Sequence, residues 1–220
     1  MSWLLPPFDD PGLCQAFQPA WGRGELPSLV LQEAISPAAA RRLRGLLRPH
    51  LAAFSVPERG RYQEVAAHPA LAEVTALLRS YAAAATGLAF AIDAPAVLQT
   101  GAARVQRFGP GDYALRWDDW QRRPPGVVLE ATLDLSPALC ANADTVYSES
   151  PILHFSLPQR PGQLGLVLRG EGGSRFDRYL SCAAGRRSAW KLRAAFPLPP
   201  PPISPGRSEP LRVRWGGLLP

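Results

Sequence analysis

The sequence predicts a mainly β domain of α+β class, an antiparallel barrel or sandwich buttressed by helices gathered in its N-terminal third. Three observations predict it. Helical periodicity is confined to the chain before Gly87. Beyond it, short apolar runs recur between turn residues: Leu98 to Phe108, Val127 to Leu135, Leu153 to Leu157, Leu164 to Leu168, Arg175 to Ser181 and Ser188 to Phe196. A chain of 220 residues, 46% hydrophobic and 19% charged, is also long enough to close one core.

Residues 1–26 are rich in Pro, Gly and Trp with little periodicity. They read as an irregular arm that packs Trp3, Phe8, Phe17 and Trp21 onto the domain, which spans residues 27–196. A short strand, Leu29 to Leu31, leads to Ser36, placed to N-cap a helix with Pro37 in its first turn. Leu43, Leu46 and Leu47 fall on one face of that helix, and Pro49 ends it. A second helix is predicted from Pro69 to about Ala85, with Leu71, Val74, Leu77, Leu78 and Tyr81 at helical spacing and Gly87 as its stop. His50 and His68 sit at helix ends and read as surface residues. Phe90 to Val97 reads as loop and short strand. Val127, Leu129, Ala131, Leu133 and Leu135 alternate with Val128, Glu130, Thr132 and Asp134, the mark of a strand with one buried face. Ala138 to Pro151 is polar and uneven and reads as a long loop. Residues 197–220 form a proline-rich tail, an extended spacer or docking segment.

Composition limits the functions. No apolar run approaches the roughly 18 residues a membrane span needs, and MSWLLPPFDD lacks the basic and apolar regions of an export signal, so the expectation is a cytoplasmic protein. Cys14, Cys140 and Cys182 are far apart with no metal-type pairing and read as small buried thiols. The net charge is +6 and almost all positive charge is arginine, Lys191 being the only lysine. The arginines are scattered and no basic run is interleaved with aromatics, so a basic nucleic-acid-binding module ranks third among the functional readings.

The stretch from Arg104 to Asp134 carries the most chemistry. Gly109-Pro110-Gly111 forms a turn, and Tyr113-Ala-Leu-Arg-Trp-Asp-Asp-Trp sets Asp118 and Asp119 between two tryptophans. This stretch resembles the core of the prolyl-4-hydroxylase-like branch of the iron(II) and 2-oxoglutarate dependent dioxygenases, where a Gly-Asp-Tyr turn leads into His-x-Asp. The order of elements from Leu26 to Phe196 resembles that branch as well. The resemblance implies a double-stranded β-helix barrel of jelly-roll or cupin-like form. It also implies iron(II) held by two histidines and an aspartate, with open positions for cosubstrate and oxygen, and an Arg-x-Ser that holds 2-oxoglutarate.

The residues depart from that pattern at the metal. The first ligand position reads Trp117 if Asp119 is the aspartate, or Arg116 if it is Asp118, and neither residue ligates iron. Adjacent strand residues point to opposite faces, so at most one of Asp118 and Asp119 lines the pocket, and the resemblance favours Asp119, because the His-Asp-Asp members of that branch use the second aspartate. Where the second histidine is expected, the chain offers Arg175, Phe176 and Asp177. His154 is the single histidine downstream and comes too early for the distal position. At the cosubstrate end, Arg186 and Ser188 supply an Arg-x-Ser, an arginine fork being suited to a carboxylate, and Tyr113 by resemblance lines the same pocket. The reading is an oxygenase-like protein with a degenerate iron site, a non-catalytic binding or scaffold protein that takes a small carboxylate or a protein partner. The alternative is an active 2-oxoglutarate dependent hydroxylase with a non-standard metal set of Asp119 and His154.

Overall fold

The computed structural model describes residues 3–5, 10–21, 28–90, 103–116, 126–140, 142–148, 154–170, 172–181 and 185–199. The N-terminal arm contains one helical turn, α1 (Pro11–Cys14), capped by the Asp10 side chain, followed by a 3-10 segment. Trp3 is buried, and Phe17 and Trp21 pack against the same core. Phe8 lies outside the described residues.

Strand β1 (Ser28–Leu31) leads to helix α2 (Pro37–Leu47), whose N-cap is Ser36; its hydroxyl accepts the Ala39 amide at 3.1 Å. The buried stripe of α2 is Ala40, Leu43 and Leu47. Leu46, expected on that face, is 42% exposed, because the stripe runs at spacings of three and four and Leu46 falls beside it. A hairpin that the sequence did not announce follows, β2 (Ala52–Val56) and β3 (Gly60–Val65). Its first strand is largely exposed and shows no alternation; Phe54 stacked on its cross-strand partner Tyr62 at 4.7 Å holds the pair together. Helix α3 (Pro69–Thr86) ends on Gly87, which takes the left-handed conformation at φ 72° that favours glycine. His68 N-caps it, its Nδ1 accepting the Ala70 amide, so this histidine sits at a helix end as expected.

The remaining strands are β4 (Ala103–Phe108), β5 (Tyr113–Ala114), β6 (Val128–Asp134), β7 (Thr145–Ser148), β8 (His154–Leu157), β9 (Leu164–Arg169), β10 (Ser174–Asp177) and β11 (Ala189–Pro197). Strand β7 lies inside the stretch expected to be loop. Its residues Thr145–Ser148 are all buried, so they show no in-and-out alternation to read. The strands join in one antiparallel sheet in the order β1-β9-β6-β11-β4-β3-β5-β10-β7-β8, with β2 added on β3, and the sheet curls into a nearly closed barrel. Non-sequential neighbours such as β6 between β9 and β11 are what a jelly roll requires. Among the described residues, no helix is long and apolar enough to cross a membrane.

The helices cover the outside of the half-sheet β1-β9-β6-β11-β4. Leu129, Ala131 and Leu133 of β6, Leu164 and Leu166 of β9, and Trp190, Leu192, Ala194 and Phe196 of β11 pack in one core with Leu43, Leu47, Leu71, Val74 and Leu78 of the helices. The alternate residues of the same strands face the lumen. The sequence led us to expect one buried face on β6; the structure corrects this, for all of Val128–Asp134 is buried. A closed sheet has no wet side, so the polar residues of the pattern point into the barrel.

Candidate functional site

The lumen of the barrel holds charge. Two apolar clusters flank it, one of Tyr62, Phe108, Ala114, Leu180 and Ala189, the other of Tyr147, Leu157 and Val167. Between them stand Glu130, Asp177, Arg169, Arg175, Lys191 and Arg193, each no more than 8% exposed. These residues divide into two carboxylate centres.

At the first centre, Glu130 of β6 receives Arg169 Nη1 on Oε2 at 2.5 Å and Arg175 Nη1 on Oε1 at 2.8 Å. The Tyr147 hydroxyl also donates to Oε1 at 2.8 Å, while Arg169 Nη2 reaches the Gly173 carbonyl at 3.2 Å. Burial alone pushes the Glu130 carboxyl up; Arg175 and Arg169 outweigh it and hold the group well below the usual carboxylate range. Burial in turn pushes the Tyr147 hydroxyl up, with the Glu130 charge adding to the effect, so Tyr147 serves as a donor.

At the second centre, Asp177 of β10 is held by Lys191 and Arg193 from β11. Lys191 Nζ donates to Asp177 Oδ1 at 2.7 Å and to Thr145 Oγ1 at 2.8 Å, and Thr145 donates to the same Oδ1 at 2.9 Å. Arg193 spans Asp177 and Gln106 with its two terminal nitrogens. Burial drives Asp177 upward, and Arg193 and Lys191 overcome it, leaving the carboxyl well below its ordinary value. Burial pulls the Lys191 ammonium down, against the opposing pull of Asp177. Removing such charges from water costs several kcal/mol per ion, which close partners offset; the contacts on Asp177 all fall on Oδ1, and its buried Oδ2 has no hydrogen-bond partner among the described residues.

The strands explain the placement. Glu130, Thr132 and Asp134 are successive lumen residues of β6, Lys191 and Arg193 are successive lumen residues of β11, and β6 and β11 are paired with Lys191 opposite Asp134 and Arg193 opposite Thr132. Two residues along a strand return to the same face. The sequence reading set β6's polar alternation against solvent and so missed these residues. The signal was present in the matching Lys-x-Arg of the last strand, a charged alternation between Trp190, Leu192 and Ala194.

The expected site residues are distributed differently. Asp118 and Asp119, with Trp117, lie outside the described residues, as does Cys182. Arg116 does lie within them, its guanidinium 5.2 Å from the Phe176 ring centre. His154 opens β8 opposite Ser148 of β7, and its side chain is outside the description. Tyr113 sits on β5 with its hydroxyl 3.4 Å from the Pro57 carbonyl. Arg186 is exposed in the turn before β11, whereas Ser188 is buried and its Oγ accepts the Trp190 indole N–H at 3.1 Å. Arg175 and Asp177, the residues standing where the second histidine was expected, are brought together in the lumen. Cys14 and Cys140 are buried thiols.

The described residues of this lumen do not make a donor set that suits a divalent ion. Among the described residues no three His, Cys, Asp or Glu side chains gather in one place. The two ionised carboxylates that face the lumen centre are already neutralised by guanidinium and ammonium groups at hydrogen-bond distance.

No family model matches the chain, and no curated protein matches it. Solved structures do. The chain has the double-stranded β-helix fold of the prolyl hydroxylases and 2-oxoglutarate and iron(II) oxygenases. A prolyl-4-hydroxylase from Pseudomonas putida superposes with a TM-score of 0.58 at 14% identity, over 85% of this chain and 100% of that one. A prolyl hydroxylase from Trichoplax adhaerens, in complex with a hypoxia inducible factor peptide fragment, gives 0.61 at 9% identity, over 84% and 90%. HygX from Streptomyces hygroscopicus, with nickel, 2-oxoglutarate and hygromycin B bound, gives 0.53 at 12% identity, over 79% and 84%. At these identities the likeness is one of fold.

Proposed function

We propose that this chain is a pseudo-oxygenase, a protein that uses the oxygenase barrel to bind and present without oxidising. The observation that carries the reading is the pairing of Glu130 and Asp177 with four buried cations, which leaves these two lumen carboxylates committed to protein charge. A divalent ion would have to displace Lys191 and Arg193 from Asp177, or Arg169 and Arg175 from Glu130, at the cost of burying the released charges unpaired. The sequence agrees, having Trp117 or Arg116 where the first histidine belongs.

The ligand in this reading is a small carboxylate or a protein segment. Arg186, exposed in the turn before β11, offers the guanidinium, with Ser188 and Tyr113 as the other residues assigned to that end by resemblance. The Trichoplax neighbour carries a peptide, and a peptide segment is the protein partner this chain is proposed to take.

One experiment decides between this reading and a working hydroxylase. Purified protein is incubated with iron(II), 2-oxoglutarate and oxygen, and succinate is measured. The expected result is no succinate above the protein-free control; stoichiometric iron uptake with steady succinate formation makes the protein an active oxygenase. In parallel, 2-oxoglutarate without metal is expected to raise the melting temperature, with Arg186→Ala abolishing the rise. No shift with any dicarboxylate removes the carboxylate ligand and leaves the protein segment.

A further inference from the structure

Arginines scattered along the sequence are gathered at one end of the barrel. There the turn Gly109 to Asp112 meets the chain leaving β10: the Gly111 amide donates to the Leu180 carbonyl at 2.8 Å, and the Leu180 amide to the Asp112 carbonyl at 2.9 Å. Arg61 of β3 clasps that turn, its Nε on Asp112 Oδ1 at 3.0 Å and its Nη2 on the Gly111 carbonyl at 2.5 Å. Arg178 Nη1 stands 3.6 Å from Asp144 Oδ2, and Arg187 Nη1 donates to the Leu139 carbonyl at 3.3 Å. One apolar cluster joins these segments from beneath, with Tyr62, Ala114, Cys140, Leu180 and Ala189 among its members. Each segment sends one side chain into the cluster and a neighbour outward: Arg61 beside Tyr62, Leu115 beside Ala114, Leu139 beside Cys140, Tyr179 beside Leu180.

Arg61, Arg116, Arg178, Arg186 and Arg187 are all exposed. Asp112 and Asp144 are set among them, each beside an arginine, and the charges of Glu58 and Arg59 in the β2-β3 turn cancel. Cations therefore outnumber carboxylates among the described residues of this end. Leu139 and Tyr179 are more than half exposed, at 59% and 53%, and Leu115 is exposed beside them. We propose that this end of the barrel is a docking surface for an acidic peptide segment with leucine-like side chains among its carboxylates. Guanidiniums receive carboxylates through paired hydrogen bonds, and arginine with tyrosine is the composition of protein interfaces. A nucleic-acid backbone fits less well, because it meets Asp112 and Asp144 and leaves Leu115 and Leu139 uncovered. This gives the protein segment of the proposed function its chemistry, and it rests on that reading of the barrel as a binding module.

The test uses the full chain and a fluorescein-labelled peptide in which leucines are spaced among glutamates, followed by fluorescence anisotropy. Saturable binding is expected, weaker at about 0.3 M salt than at low salt, and lost when glutamine replaces every glutamate. Arg178→Glu and Arg187→Glu are each expected to weaken it about fivefold, whereas Arg48→Glu, at the C-terminus of α2, changes the net charge equally and leaves it within about twofold. No binding, equal binding of the glutamine peptide, or equal weakening by Arg48→Glu overturns the proposal. Oligo(dT) of the same length binding as tightly as the glutamate peptide overturns it in favour of nucleic acid. Thermal melts check that each variant is folded, and Arg178→Gln or Arg187→Gln replaces one that is not. The two readings fail separately: succinate formation removes the pseudo-oxygenase whatever the peptide does, while absent peptide binding without succinate removes the acidic-peptide surface alone.

Discussion

Glu130 is the residue on which two guanidiniums converge, and its replacement tests what the lumen charges contribute. Glu130→Gln keeps the size and removes the charge shared by Arg169 and Arg175. The expected loss is about 3–5 kcal/mol in denaturant unfolding, the range for breaking a buried pair by deleting one partner. Replacing Glu130, Arg169 and Arg175 together with apolar residues of similar volume should recover most of it, because the penalty lies in the stranded charge. The same residues set the acid response. Glu130 and Asp177 have folded pKa values below the ordinary range, so the unfolded chain takes up their protons first. Their stabilisation is complete above the ordinary carboxylate value of about 4 and is lost as pH falls below it. Asp134, raised by burial, acts with the opposite sign above that value, where its ionisation in the fold carries a cost. Two depressed groups against one raised group give a melting temperature that drops steeply below about pH 4. The drop should be shallower in Glu130→Gln.

Among the elements, two junctions hold the barrel's shape by geometry alone. Ser36 closes the N-terminus of α2 through its hydroxyl, and Ser36→Ala is expected to cost about 1 kcal/mol while Ser36→Asp, which keeps an acceptor, costs little. Gly60 stands where β3 passes β5, at φ 154°, and a Cβ there would fall 2.6 Å from the Tyr113 carbonyl oxygen. Gly60→Ala therefore forces β3 and β5 apart, with an expected loss of about 1–3 kcal/mol seen as a lower urea midpoint. Hydrogen exchange should report that loss first in the β2-β3 hairpin, whose first strand is the exposed one. The hairpin also shows why some elements escape notice in a sequence. Residues Ala52–Val56 alternate too weakly to read as a strand, and Thr145–Ser148 are buried on both faces, so neither offers the period of two.

For the whole molecule, the barrel converts a local pattern into a different environment. Ser36, Gly87, the two long helices and the strands at Val128–Asp134, Leu164–Arg169 and Ala189–Pro197 were legible, because caps, stops and periodicity depend on neighbours along the chain. The order of elements carried the fold class too, since few architectures accept a helical first third followed by short strands. Residue by residue, the absence of histidine at the expected ligand positions was plain from reading Trp117, Arg116 and Arg175 to Asp177. What no local pattern contained was the destination of the polar face of β6 and β11. Alternation says that one side of a strand differs from the other, and only closure of the sheet decides whether the polar side meets water or the inside of a barrel. Closure brings Glu130 to Arg169 and Arg175, residues 39 and 45 positions away, and Asp177 to Arg193 across 16. The sequence by itself thus determined most of the elements, though not β2, β3 and β7, and the kind of fold they build. The tertiary structure alone decided that the charges form a buried network, because the energy of a charge depends on what surrounds it in space.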